Sequence, residues 1–146
     1  EQVILELVDI FHFGLSLRID GETSYEQLAA QLEAELSAPV QADDFKQTLE
    51  LLAASAVAEK SFNAAAFAGC MAQIGMDIDD LYRGYVGKNT LNFFRQDHGY
   101  KDGSYIKVWN GQEDNEHLVE VVKSLDTEHA DFAKLVYQGL EQRYPK

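Results

Sequence analysis

The sequence predicts an all-α fold, and three observations carry that prediction. Ala, Leu and Glu are abundant and only two prolines interrupt 146 residues, so helix formers dominate and breakers are few. Apolar residues recur at helical spacing, and no segment shows the two-residue alternation of a half-buried strand. The length is that of one domain able to bury a substantial core. Residues 1–146 are therefore read as a single multi-helix bundle.

Residues 3–19, VILELVDIFHFGLSLRI, are apolar on nearly every side, which predicts a helix buried all round. Its polar exceptions then matter. Glu6 and Asp9 stand three apart on one face, continued by His12 or Phe13 and by Ser16. Two buried carboxylates repel each other and lose hydration unless positive charge compensates them. A hard divalent metal does this most simply, since magnesium takes oxygen ligands and keeps waters and substrate phosphates in its shell. A buried salt bridge to Arg18 or Arg95 is the alternative. His12, on the same helix, reads equally as a hydrogen-bonded core histidine.

Residues 20–24, DGETS, form a loop in which Thr23 or Ser24 caps a helix reaching to about residue 37. Ser37-Ala38-Pro39 breaks the chain, and Asp43 or Asp44 caps the next helix, whose Phe45, Leu49, Leu52, Ala53 and Ala56 form a packing face. The alanine-rich stretch 63–74, with Gly69, permits close helix approach and offers no chemistry. It holds Cys70, the single cysteine, which excludes an intrachain disulfide and a cysteine-rich zinc site. That residue is read as helix packing, and the chain as belonging to a reducing cytoplasm.

Asp77 caps the next helix, and the acidic residues 77–80 sit at its positive end as caps rather than metal ligands. Tyr82, Phe93 and Phe94 are expected to anchor this helix in the core. Lys88, Asn92 and Arg95 stand at i, i+4 and i+7, placing an ammonium, a carboxamide and a guanidinium on one stripe. Such a stripe suits an anion, although cations near a helix C-terminus also serve in surface ion pairs. Gly99 stops the helix, and a glycine-punctuated loop then presents Tyr100, Lys101, Tyr105 and Lys107. A guanidinium grips phosphate bidentately and lysine adds point charge, so Lys88, Arg95 and Lys107 with the Tyr100 hydroxyl form a candidate di- or triphosphate site. Asp114 is expected to cap a helix to residue 125. Asp126 or Thr127 should cap the last, whose Phe132, Leu135, Val136 and Leu140 form its buried face.

The formal net charge of −13 repels nucleic acid polymers and anionic membrane surfaces. Five of the twelve basic residues, Arg83, Lys88, Arg95, Lys101 and Lys107, nevertheless fall between positions 83 and 107. A small polyphosphate fits that local asymmetry. No segment approaches the apolar length of a membrane span, and nothing marks export.

The pattern K-x3-N-x2-F-R from Lys88, then G-Y-K-x-G-x-Y-x-K-x-W from Gly99, then E-D-N at residues 113–115, resembles the dimeric dUTPases. Glu6-Leu7-Val8-Asp9 is similar to that family's metal-binding E-x-x-D helix. The resemblance covers roughly a third of the chain and rests on two separated, correctly ordered motifs. It implies an all-α, MazG-like nucleotide pyrophosphatase that cleaves dUTP, and also dUDP, to dUMP with magnesium, and that forms a homodimer. It also implies roles: Glu6 and Asp9 as metal ligands and catalytic carboxylates, His12 beside the uracil pocket, Asn92 and Asn115 towards the nucleoside. For Asn115 the plainer alternative is a helix N-terminal residue that bonds only backbone.

The sequence also departs from the family. A further E-x-x-E pair and a uracil-contacting motif belong upstream of the E-x-x-D helix, only five residues precede Glu6, and Glu1 is no substitute for that pair. The expectation is a trimmed piece of a longer protein. Two alternatives follow: a pyrophosphatase for another deoxynucleotide such as dCTP, since phosphate motifs name no base, or a non-catalytic nucleotide-binding or dimerisation module.

Overall fold

The computed structural model describes residues 2–145; Glu1, excluded above as a metal ligand, lies outside the described residues. Seven helices are present among these residues: α1 (Gln2–Arg18), α2 (Tyr25–Leu36), α3 (Phe45–Glu59), α4 (Ala64–Gln73), α5 (Ile78–Asp97), α6 (Asp114–Lys123) and α7 (Phe132–Arg143). A two-stranded ribbon, β1 (Val108–Trp109) and β2 (Gln112–Glu113), lies between α5 and α6. The all-α class holds. The chain divides into two compact units, residues 1–78 and 79–146.

In the first unit the caps predicted for α2 and α3 are in place, and α4 has one that was not predicted. Ser24 caps α2 by accepting from Gln27 N, Asp44 caps α3 by accepting from Gln47 N, and Asn63 caps α4 by accepting from Ala66 N. Helix α4 is the unit's centre: Ala64, Phe67 and Cys70 are fully buried. Its small residues let the chain approach closely, since a Cβ on Gly69 would stand 2.5 Å from the Val40 carbonyl oxygen. The Val40 N–H meanwhile donates to Ala65 O at 2.9 Å. Phe11 of α1 stacks on Phe67 at 5.4 Å and meets Phe62 edge-on at 6.0 Å.

Helix α1 is not buried all round. Leu7, Val8 and Gly14 are buried, whereas Phe13 is 74 % and Leu17 65 % exposed. Uniform apolarity left no stripe in the sequence to distinguish inner from outer faces; packing of Gly14 and Phe11 against Phe62 selects one.

In the second unit, Phe94, Trp109, Phe132, Val136 and Leu140 lie within one apolar cluster. Phe94 takes the core position while Phe93, its neighbour, is 57 % exposed, so only one of the three expected anchors is internal. Tyr82 is also exposed, although its ring stacks on Phe132 at 6.1 Å. Helix α7 starts later than expected because Asp126 is occupied in a turn of its own, accepting from the Glu128 N–H through Oδ1 and from the His129 N–H through its carbonyl.

Candidate functional site

Helix α5 ends at a Schellman motif: the Tyr100 N–H donates to Arg95 O at 2.9 Å, and Gly99 adopts a φ of 87°. This left-handed residue turns the chain out of the helix immediately after Arg95. Residues 100–107 run to the ribbon, whose turn places Asn110 (φ 49°) and Gly111 (φ 85°) at the two left-handed positions of a hairpin loop. The ribbon pairs Val108 with Glu113 and Trp109 with Gln112. Beyond it, the Asp114 N–H donates to Lys107 O at 3.0 Å. The end of α5, the loop and the start of α6 are thereby drawn together.

At that junction Arg95 meets Asp114. The guanidinium donates from Nε to Asp114 Oδ2 and from Nη2 to Asp114 Oδ1, both at 2.8 Å. The Tyr105 hydroxyl donates to Oδ2 at 2.9 Å. Asp114 is 0 % exposed and the Arg95 side chain 17 %. Burial alone pushes the Asp114 carboxyl up, yet the hydrogen bonds and charge of Arg95 outweigh it and hold the group below its ordinary value. The same bond raises Arg95, and burial together with Asp114 raises the Tyr105 phenol. The sequence assigned Asp114 a different task. Glu113 instead closes a capping box with Glu116, which leaves the Asp114 side chain, one position into the helix, to face Arg95. A glutamate three residues before another was the signal available for that reading.

Of the other candidate groups, Asn92 and Tyr100 approach this pair directly. Asn92 Oδ1 lies 3.4 Å from Arg95 Nη1, and the Arg95 guanidinium carbon stands 5.9 Å from the centre of the Tyr100 ring. Lys107 Nζ pairs with Glu113 at 3.1 Å, both side chains about half exposed, an ion pair worth at most about 1 kcal/mol. Lys88 lies on α5 two turns before Arg95. Asn115 follows Asp114 in α6, and among the described residues its Oδ1 is buried and receives no hydrogen bond. Behind the site, Tyr144 accepts from the Ile106 N–H at 3.0 Å and stacks on Tyr105 at 5.6 Å, so the C-terminal segment holds the loop.

Glu6, Asp9 and His12 lie on α1 in the first unit. Glu6 is exposed, accepting from Gln2 Nε2 at 2.8 Å, while Asp9 and His12 are half-buried. The desolvation argument for a metal therefore does not apply to Glu6. Of the proposed basic partners, Arg18 is held by Glu35 and by the Phe62 carbonyl, and Arg95 by Asp114. Among the described residues no three His, Cys, Asp or Glu side chains converge as a metal-binding group. The Glu6–Asp9 pair still fits magnesium by donor type, because that ion is commonly held by one or two carboxylates and completes its shell with water and phosphate. No helix among the described residues is long and apolar enough to cross a membrane.

Residues 1–100 match the family model described as dUTPase. The match includes Glu6, Asp9, His12, Lys88, Asn92, Arg95 and Tyr100, and stops short of Lys107, Asp114 and Asn115. No curated protein matches the chain.

Proposed function

The chain belongs to the dimeric, all-α dUTPase family, and from that premise we propose that the protein hydrolyses dUTP, with dUDP as a further substrate, to dUMP in a magnesium-dependent reaction. The observation that carries the proposal is the Lys88, Asn92 and Arg95 stripe on α5, which continues into Tyr100 and Lys107 in a chain whose matched region includes the first four of these. Lys88, Lys107 and the free protons of Arg95 neutralise the polyphosphate, and the Tyr100 hydroxyl supplies a further donor. Asn92, Asn115 and His12 are assigned to the nucleoside, with the buried Asn115 Oδ1 supporting its share. Glu6 and Asp9 would hold the magnesium. When bound, the ion supplies charge neutralisation and an activated water. A homodimer in the cytoplasm, with no polynucleotide partner, completes this reading.

The test is incubation of the full-length protein with dUTP and magnesium, followed by chromatography of the nucleotides. Formation of dUMP and pyrophosphate is expected, and no turnover above a Lys88→Ala control would end the proposal. Binding of dUTP without turnover would assign a nucleotide-binding module instead. A higher kcat/KM for dCTP would move the base preference, since a site that bonds one base edge rejects an analogue leaving its groups unpaired.

A further inference from the structure

An arginine offers two bidentate edges: one made by Nε with one Nη, and an end-on edge made by the two Nη nitrogens. Asp114 occupies the first of these, through Nε and Nη2. The end-on edge is left with the remaining Nη2 proton and the Nη1 pair, and among the described residues its one hydrogen-bond contact is the 3.4 Å approach of Asn92. We propose that Asp114 is a positioning residue that locks Arg95 by its inner edge so that the end-on edge receives the substrate's phosphate chain. The ligand's identity as a nucleoside triphosphate rests on the dUTP reading above.

Three features make Asp114 a fixed anchor. It is the first residue of α6, where the helix N-terminus favours a carboxylate. Its Oδ2 accepts from both Arg95 Nε and the Tyr105 hydroxyl, and its Oδ1 from Arg95 Nη2, so neither oxygen lacks a donor. Its backbone N–H holds the Lys107 carbonyl, so the same residue sets the position of the loop carrying a second phosphate-binding cation. A guanidinium fixed in advance loses less freedom when an anion arrives. A buried carboxylate also lowers the net charge at the site. Positioning and neutralisation thus act in opposite directions, and their balance is measurable.

The experiment measures the Kd of inorganic triphosphate with magnesium, by calorimetry on the full-length protein, in a double-mutant cycle of Asp114→Asn with Arg95→Lys. Asp114→Asn should weaken binding roughly tenfold or more where Arg95 is present. It should change binding by less than about twofold in the Arg95→Lys background, where no bidentate edge remains to be positioned. A merely structural role would lower affinity equally in both backgrounds. That result would overturn the proposal, as would unchanged or tighter binding in Asp114→Asn alone, or no triphosphate binding by the unmodified protein. Should Asp114→Asn fail to fold, Tyr105→Phe enters the same cycle, since it removes one hydroxyl and keeps the ring on Tyr144; a loss of roughly threefold, confined to the Arg95 background, is expected. Loss of the same size with lysine at position 95 overturns the proposal. Triphosphate binding is read without turnover, so failure of the dUTP reading and failure of this one are distinguishable.

Discussion

Arg95 and Asp114, nineteen positions apart in the chain, meet through two parallel 2.8 Å hydrogen bonds, and the carboxylate is wholly withdrawn from solvent. Their union joins the end of one helix to the start of another across a glycine-rich loop. Removing one partner leaves the other buried and uncompensated. Asp114→Ala is therefore expected to lower stability by about 2–4 kcal/mol, below the upper range for fully buried pairs because Arg95 keeps 17 % of its side chain exposed. Urea denaturation checks this, and a loss under about 0.5 kcal/mol would show that solvent already screens the pair.

The same pair sets a pH dependence. The folded Asp114 carboxyl titrates below its ordinary 3.8 because the bonds to Arg95 outweigh burial. A depressed folded value means stabilisation that is complete above the unfolded value and lost as pH falls through the lower folded one. The stability difference between the unmodified protein and Asp114→Asn should hold steady above about pH 5 and shrink below about pH 4. Denaturation midpoints across that range would show it; a difference independent of pH would mean the carboxyl's charge contributes nothing.

Gly99 is the residue on which the loop's exit from α5 depends. Its φ of 87° strains any L side chain, and an added Cβ would stand 1.9 Å from Ser104 Oγ. The hydroxyl can rotate away, whereas the backbone strain remains. Gly99→Ala should cost roughly 1–3 kcal/mol, read by thermal denaturation, and should weaken triphosphate binding because Tyr100, Tyr105 and Lys107 lie in the displaced segment. Unchanged melting would show that the loop accommodates the substitution.

Catalysis is expected to separate lysine from arginine at position 95. A lysine keeps the charge but cannot hold Asp114 on one edge and phosphate on another, so Arg95→Lys should reduce kcat/KM for dUTP by roughly a hundredfold. Steady-state kinetics measures this. A loss under threefold would leave only the charge at work.

Assembly is predicted from α1. Phe13 and Leu17 stand on its exposed face, and apolar surface on one chain is covered most simply by the same surface on a second copy. The full-length protein should sediment as a dimer at micromolar concentration, and Phe13→Glu with Leu17→Glu should shift it towards monomer. A folded, active monomer in the unmodified protein would contradict this.

Helix punctuation was legible in the sequence because it is local. Ser24 and Asp44 each act on a backbone N–H three residues ahead, and Gly99 acts through its own φ. The stripe of Lys88, Asn92 and Arg95 was equally local, being a consequence of helical period alone. The family followed from spaced motifs, and residues 1–100 carry the match.

Three features needed the tertiary structure. Helix α1 has apolar residues on all sides, so periodicity could not say that Leu7 and Val8 lie inside and Phe13 outside; neighbouring rings decided it. Phe93 and Phe94 are chemically identical neighbours about 100° apart on one helix, and only the position of Trp109 and Tyr137 against Phe94 fixed which is internal. Asp114 reads as a helix cap because a carboxylate at a helix start has a local partner to hand, and although the Glu113–Glu116 spacing could have moved the cap by one residue, it could not name Arg95 as the partner. Its real partners, Arg95 and Tyr105, reach it only after the chain has turned at Gly99 and again at Asn110-Gly111. Local hydrogen bonds depend on spacing along the chain, which a sequence displays; a buried ion pair depends on which distant groups lose water together, and packing alone settles that.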